Sequence, residues 1–313
     1  MERAFVFPGQ GSQAVGMGVA LAEAFGAARE VFEEVDEALK QNLARLMAEG
    51  PAEELTLTEN AQPALMAVSL AVVRVLERDG GVSLAEKGRF VAGHSLGEYS
   101  ALAAAGTFTV TQAARLLKTR GQAMQAAVPP GEGAMAAIMG MELEAVEAVA
   151  LEAAQGQVVA AANDNAPGQV VISGHREAVQ RAIELAKGRG GRRAVLLPVS
   201  APFHCALMAP AAEVMEAALE AAELAPPALP LIANVTAEAV EAPSEIRRLL
   251  VGQVTGRVRW RESVLAMQEA GVEELVELGA GRVLSGMARR IHPALDGRSC
   301  GAPEDVEALL ARL

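Results

Sequence analysis

The five residues Gly93-His94-Ser95-Leu96-Gly97 constrain this chain more than any other stretch. Arg89-Phe90-Val91-Ala92 before them has strand character, and Glu98-Tyr99-Ser100-Ala101-Leu102-Ala103-Ala104-Ala105 after them opens a helix. A serine at a tight strand-to-helix turn is the context of a G-x-S-x-G nucleophile elbow. Glycine suits both flanks, because a Cβ there would crowd the turn. The helix start behind Ser95 offers free N–H groups and a positive dipole end, both suited to an oxyanion. An ordinary glycine-rich turn fits the pentapeptide equally well, since short motifs recur by chance.

Composition narrows the setting. Of 313 residues, 51% are hydrophobic and 21% charged, enough for one large domain or two smaller ones. Aromatics make up 3%, so Ala, Val, Leu and Met must fill the core. A net charge of -12 argues against nucleic acid as a general partner. Cys205 and Cys300, without a C-x-x-C, support neither a disulfide framework nor a structural zinc site. The start Met1-Glu2-Arg3-Ala4-Phe5-Val6-Phe7 reaches Pro8-Gly9 too soon for a signal peptide, and no long uncharged apolar stretch could span a membrane. The expectation is a soluble cytoplasmic protein with no membrane partner and no metal.

Alanine-rich helical segments alternate with short Val/Ile-rich runs. Ala4–Phe7 is predicted as the first strand, followed by helices over Val15–Phe25, Ala28–Leu39, Gln62–Asp79, Leu96–Ala105 and Thr111–Ala127. Thr109 or Thr111 is placed to cap the last of these, and Pro129-Pro130-Gly131 ends it. The pattern then changes. Strands Ala134–Met139, Val158–Ala162, Gln169–Ser173 and Arg193–Val199 interleave with helices Glu142–Gln155 and Arg176–Arg189. Asn163-Asp164-Asn165-Ala166-Pro167-Gly168 reads as the turn of a hairpin between the middle strands. This β-α-β-β-α-β order is that of a ferredoxin-like unit, so residues 128-198 are expected to form a small domain inserted into a larger α/β domain made of 1-127 and 199-313. After it come helix Ala209–Glu223, strand Leu229–Asn234, helices Ser244–Gln253 and Ser263–Ala270, strand Glu273–Leu278 and helix Arg282–Ile291. Strands alternating with helices predict a mostly parallel sheet.

A serine hydroxyl needs a base, and histidine is the usual one near neutral pH. Of four histidines, His175 opens a helix of the insert as a surface residue. His292 precedes Pro293 at a C-terminal helix end, where a cation suits the dipole. His94 adjoins the nucleophile and, at a sharp turn, should point elsewhere; contact with a substrate carbonyl or carboxylate and simple packing are both open to it. His204, in Pro202-Phe203-His204-Cys205 at the junction between domains, is the candidate base by elimination. A satisfied buried histidine fits that position too.

Five stretches together resemble the malonyl-CoA:acyl-carrier-protein transacylases of bacterial type II fatty acid synthesis. They are Phe5-Val6-Phe7-Pro8-Gly9-Gln10-Gly11-Ser12-Gln13, Gly93-His94-Ser95-Leu96-Gly97-Glu98-Tyr99, Thr119-Arg120-Gly121-Gln122-Ala123-Met124, Phe203-His204-Cys205-Ala206-Leu207-Met208 and Val276-Glu277-Leu278-Gly279-Ala280-Gly281. The resemblance spans essentially the whole chain and implies an α/β-hydrolase-like core carrying a ferredoxin-like insertion.

That resemblance implies Ser95 as the acylated nucleophile and His204 as general base and acid. The histidine would be oriented by a backbone carbonyl, at Gln253, rather than by an aspartate. The oxyanion hole would be the N–H groups of Gln10 and Leu96, with Gly9 and Gly11 letting the Gln10 backbone approach a thioester. Arg120, alone just another helix arginine, would form a bidentate pair with the malonyl carboxylate and disfavour acetyl groups. Phe203 matches the bulky residue of malonyl-preferring relatives, where many bacterial relatives carry serine; it should crowd out a methyl branch. Gln62 and Asn163 match polar positions near the pocket. The reaction would be ping-pong between malonyl-CoA and the phosphopantetheine thiol of acyl carrier protein, by a monomer, with no metal or redox cofactor. Carrier proteins are acidic, so docking needs a local basic surface. Lys187, Arg189, Arg192 and Arg193 form one cluster, and Arg257, Arg259 and Arg261 another.

Three rivals remain at this stage. A serine esterase or thioesterase would use a late histidine, His292, and leave Arg120 unexplained. A non-catalytic carrier scaffold would leave Ser95, His204 and Arg120 without a role. A polyketide-type acyltransferase domain has the same chemistry, and the absence of flanking linkers favours a free-standing enzyme.

Overall fold

The structure, a computed structural model, describes residues 1–313. Ten strands form two sheets: β1 (Arg3–Phe7), β2 (Phe90–Gly93), β3 (Gly133–Met139), β4 (Val159–Ala166), β5 (Gln169–His175), β6 (Arg193–Leu196), β7 (Leu231–Ile232), β8 (Ala239–Val240), β9 (Glu274–Leu278) and β10 (Asp296–Cys300). The larger sheet has the order β10-β9-β1-β2-β7-β8 and is parallel except at the β7–β8 edge. The smaller has the order β4-β5-β3-β6 and is antiparallel throughout.

The central strands are apolar along their length because both faces are covered. Ala4, Phe5, Val6 and Phe7 are all fully buried, as are Val91 and Ala92. One face packs on the helix Thr58–Arg78, which is buried almost all round and lies against the helix Val110–Ala126. Burying its Leu65, Met66, Val68 and Val72 stabilises the fold by roughly 1.5–3 kcal/mol per side chain before entropy is counted. Thr109 caps the Val110–Ala126 helix, and its reciprocal bonds with Gln112 form a full capping box. The small sheet has its own apolar core, drawn entirely from residues between Ala134 and Ala186.

Several expectations need correction. Residues 163–166 belong to β4 rather than to a turn; only Pro167 and Gly168 separate β4 from β5. Two register shifts in β4 absorb the polar residues, and a parallel bridge from Asn163 to Val258 ties the strand to the larger unit. The helix expected from Val15 starts at Val19, because Gly16 and Gly18 take positive φ. The strand expected over Leu229–Asn234 shrinks to Leu231–Ile232, and Arg282–Ile291 splits into a 3-10 turn and the short helix Ala288–Ile291. His175 closes β5 and accepts the Val158 N–H on Nδ1, so it is a half-buried bracing group rather than a surface one. Strand β10 and the helices Leu43–Glu49 and Pro303–Leu310 had no counterpart in the sequence reading. No helix is long and apolar enough to cross a membrane.

Candidate active site

Strand β2 ends at Gly93 and the helix Gly97–Ala104 begins four residues later, with Ser95 between them at φ 54°. A left-handed backbone is costly for a residue with a Cβ, roughly 1–3 kcal/mol, and persists only where the surroundings impose it. Here they do. A Cβ on Gly93 would lie 1.9 Å from the Gly97 carbonyl carbon, and one on Gly97 would lie 2.2 Å from the Phe7 carbonyl oxygen. Asn234, just past β7, braces the same turn. Its Oδ1 accepts the Ser95 N–H at 2.8 Å and its Nδ2 donates to the Gly93 carbonyl at 2.7 Å.

His204 reaches Ser95 from the other side of the sequence. Its Nε2 lies 2.7 Å from Ser95 Oγ, and its Nδ1 lies 2.9 Å from the Gln253 carbonyl and 3.2 Å from that of Gly256. Both carbonyls can only accept, so Nδ1 carries the proton and Nε2 presents its lone pair to the serine hydroxyl. No carboxylate orients the ring. Burial, reinforced by the Arg120 charge, pushes the His204 pKa down to about 3, so the imidazole is a neutral base at pH 7. His204 itself adopts φ 59°, the second strained residue of the site.

Arg120, on the Val110–Ala126 helix, is 1% exposed, which corrects its reading as one more helix arginine. Helix 110–126 can bring it in because Gly121 abuts the Thr58–Arg78 helix; a Cβ there would meet Glu59 Cα at 2.5 Å. The guanidinium donates to Gln62 Oε1 at 2.7 Å, Gln253 Oε1 at 2.8 Å and Ser95 Oγ at 3.1 Å, and lies over the Tyr99 ring. Its Nε has no partner, and no carboxylate forms an ion pair with it. Gln62 in turn donates to Thr58 Oγ1, which donates to Gln10 Oε1. A continuous hydrogen-bonded chain therefore links the Gln10 loop to Arg120.

Gln10 and Leu96 lie three residues beyond Phe7 and Gly93, which are paired in the parallel register of β1 and β2. The backbone N–H of neither donates to a protein acceptor. With Ser95, His204, Arg120, Gln62, His94, Asn163 and Phe203 they line one cavity of about 430 Å³, within the range of small-ligand sites. Phe203 is 8% exposed and narrows the wall beside His204. His94 lines the cavity with Nε2 2.8 Å from Asn165 Oδ1 and its ring against Trp260. Burial lowers its pKa. Asn163 reaches the cavity from β4, 6% exposed. His292 caps the Ala288–Ile291 helix outside this cavity, which removes it as the serine's base.

Gln253 does more than the sequence suggested. Beyond its carbonyl, its Nε2 donates to the Ser95 carbonyl and to Glu98 Oε2. Glu98 is fully buried, and burial pushes its pKa up to about 7. Thr58, Glu98 and Asn234 were not singled out from the sequence. Glu98 follows the end of β2 by five residues and Asn234 follows the end of β7 by two, on the same edge of the parallel sheet.

A half-buried serine paired with a buried histidine, two idle N–H groups and a buried arginine without a carboxylate partner fit acyl transfer to a substrate with an anionic end. The family model described as acyl transferase domain matches residues 4–299. The malonyl CoA-acyl carrier protein transacylase of Bacillus subtilis (strain 168) is 44% identical over 311 residues, covering 99% of this chain and 96% of that protein. The solved acyl-carrier-protein-S-malonyltransferase of Bartonella henselae is 55% identical with a TM-score of 0.97, covering 100% of this chain and 99% of that one. A malonyl-transacylase solved in complex with a type II polyketide acyl-carrier protein is 44% identical with a TM-score of 0.97, each chain covered in full. The chain belongs to the acyl transferase domain family, among its malonyl CoA-acyl carrier protein transacylases.

Proposed function

We propose that the protein moves the malonyl group of malonyl-CoA to the phosphopantetheine thiol of acyl carrier protein through an ester on Ser95, supplying extender units for fatty acid synthesis. The observation that carries this reading is Arg120. A guanidinium this buried, with an unpartnered Nε and no carboxylate of its own, costs stability unless a ligand completes it. The free carboxylate of a malonyl group beside the Ser95 acyl position does so, and an acetyl group cannot.

The first half-reaction forms an ester from a thioester. Ser95 Oγ attacks the thioester carbon while its proton passes to His204 Nε2, at 2.7 Å. The carbonyl oxygen becomes an oxyanion facing the N–H groups of Gln10 and Leu96. The C–S bond then breaks, and His204 returns its proton to the departing CoA sulfur. The Gln253 and Gly256 carbonyls hold the imidazolium's Nδ1–H meanwhile, stabilising it less than a carboxylate would. In the second half-reaction His204 takes the phosphopantetheine thiol proton, the thiolate attacks the malonyl ester and Ser95 is released protonated. Every proton and bond is handled by the chain and its two thiol substrates, so the chemistry calls for no metal or redox cofactor. All the groups come from one chain, so the site needs no residue from a second copy.

The strand order β4-β5-β3-β6 within a βαββαβ segment supports a ferredoxin-like insertion at 128-198. A serine at the carboxyl end of a central parallel strand supports an α/β-hydrolase-like core in 1-127 and 199-313. Carrier docking is best served by Arg192 and Arg193, which are exposed and precede the cavity-lining Leu197–Val199. The other cations singled out are already neutralised: Arg189 by Glu152, Lys187 by Glu184, and Arg257, Arg259 and Arg261 by Glu147, Glu262 and Asp164.

Incubation with malonyl-CoA followed by intact-mass measurement tests the reading. A malonyl adduct that disappears in Ser95→Ala and passes to carrier protein is expected. Free malonate without a transferable adduct would mean hydrolysis.

A further inference from the structure

We infer that Glu98 is a positioning residue for malonyl selectivity: its carboxyl fixes the Gln253 amide in the orientation that aims the amide oxygen at Arg120. This rests on the proposed malonyl-transfer reading. Glu98 lies one turn beyond Ser95 and is shielded from solvent, with no counter-ion in ion-pair contact. Its Oε2 accepts from Gln253 Nε2 at 2.8 Å and from the Asn234 N–H at 3.3 Å. Its Oε1 touches no polar partner.

An amide side chain has one donor end and one acceptor end. Glu98 Oε2 and the Ser95 carbonyl, at 2.9 Å, both accept, so together they claim the NH₂ end of Gln253. The oxygen is thereby left for Arg120 Nη2 at 2.8 Å. Were the amide to turn over, its NH₂ would face the guanidinium, donor against donor, and Arg120 would lose one of the two amide oxygens that hold it at the cavity. The same residue carries, on its backbone, the carbonyl that holds His204 Nδ1. Gln253 thus couples the base to the specificity cation, and Glu98 is the group that pins it.

The device works through reach rather than charge. A proton taken up by Glu98 would sit on the partnerless Oε1 and leave Oε2 still accepting. Glutamine at this position keeps an acceptor at the same reach, whereas aspartate keeps the charge but withdraws it by one methylene.

The test is the ratio of kcat/KM for malonyl-CoA to that for acetyl-CoA, normalised to the fraction of Ser95 that can be acylated. For Glu98→Asp the ratio should fall about tenfold, as befits loss of one buried hydrogen bond to the steering amide. For Glu98→Gln it should stay within about twofold of the parent. A general loss of folded protein would lower both activities alike and leave the ratio unmoved. Should Glu98→Asp not fold, Glu98→Leu, which keeps the volume without an acceptor, reads the same ratio. An unchanged ratio in the Asp or Leu variant, or a fall in Glu98→Gln as large as in Glu98→Asp, would overturn the inference alone. A parent protein that transfers no malonyl would overturn the functional reading and this one with it.

Discussion

Arg120 donates from Nη2 to Ser95 Oγ at 3.1 Å, so the specificity cation and the nucleophile already share a hydrogen bond in the free site. A malonyl carboxylate that draws the guanidinium to itself also releases Oγ from that donor. Oγ is then left to His204 alone, and its lone pairs become more available for attack. On the proposed reading, selection of the acyl group and activation of the serine would be one event.

Arg120→Ala should lower kcat/KM for malonyl-CoA by about 10²–10³, the scale of a broken buried charge pair. Acetyl-CoA, which never used the guanidinium, should gain relative to malonyl-CoA. Competition between the two thioesters, read by intact mass, checks this; an unchanged malonyl preference would refute the role of Arg120.

The acid limb of kcat/KM should lie far below the usual histidine range. Folding lowers the His204 pKa from 6.5 to about 3, so the base stays neutral as pH falls through 6 and 5. The sign for stability follows. Below pH 6.5 the unfolded chain gains a proton that native His204 refuses, so His204 costs the fold stability as pH drops from 6.5 toward 3. Acylation rates at pH 5.5 close to those at pH 7 are expected, and an inflection near 6.5 would contradict the assignment.

Gly121→Ala should both destabilise the protein and spoil selectivity. Its Cβ would come within 2.5 Å of Glu59 Cα, backbone that cannot turn aside, and would push the Arg120 helix off its neighbour. Overpacking of this kind costs about 1–3 kcal/mol. Urea denaturation and the malonyl-to-acetyl ratio should move together; stability lost at constant selectivity would disconnect the helix seat from Arg120.

Phe203→Ser should relax rejection of methylmalonyl-CoA. The ring forms the cavity wall next to His204, and a pocket discriminates one methyl group by about tenfold or more. Selectivity between the two thioesters, measured in one tube, decides it, and identical ratios in parent and variant would remove Phe203 from specificity.

Arg192→Glu combined with Arg193→Glu should raise KM for carrier protein while leaving acylation by malonyl-CoA unaltered. Rim charges act chiefly on encounter, so the difference from the parent should shrink as salt is raised. Stopped-flow transfer from preformed acyl-enzyme separates the two half-reactions. A defect confined to acylation would mean that this edge does not meet the carrier.

What the sequence disclosed follows the range of the interactions involved. Ser95 between Gly93 and Gly97 was legible because the elbow is local, and the glycines are demanded within a few residues of it. His204 was reachable by elimination among four histidines. The burial of Arg120 was not legible from its helix, since it depends on Gly121 fitting against Glu59 on another helix. Asn163 to Ala166 read as a turn because Asn and Asp favour turns locally. Pairing with Val258, almost a hundred residues away, holds that segment extended instead. Strand β10, Asp-Gly-Arg-Ser-Cys, has no apolar alternation and exists because β9 offers it an edge. Glu98, Gln253 and Asn234 meet only in three dimensions, so their joint geometry had no sequence signature.

The placing of Gln10 and Leu96 three residues past the paired Phe7 and Gly93 has one more consequence. The two donors inherit their separation from the lattice of main-chain bonds between adjacent strands, and no side chain has to be tuned to set it. Substitution can therefore reshape the pocket walls, exchange the acyl group selected or alter the docking edge while the two N–H groups proposed as the oxyanion hole keep their spacing. The chain carries its catalytic constant in the framework and its variable chemistry in the lining, which is what a scaffold needs in order to change substrate without relearning the reaction.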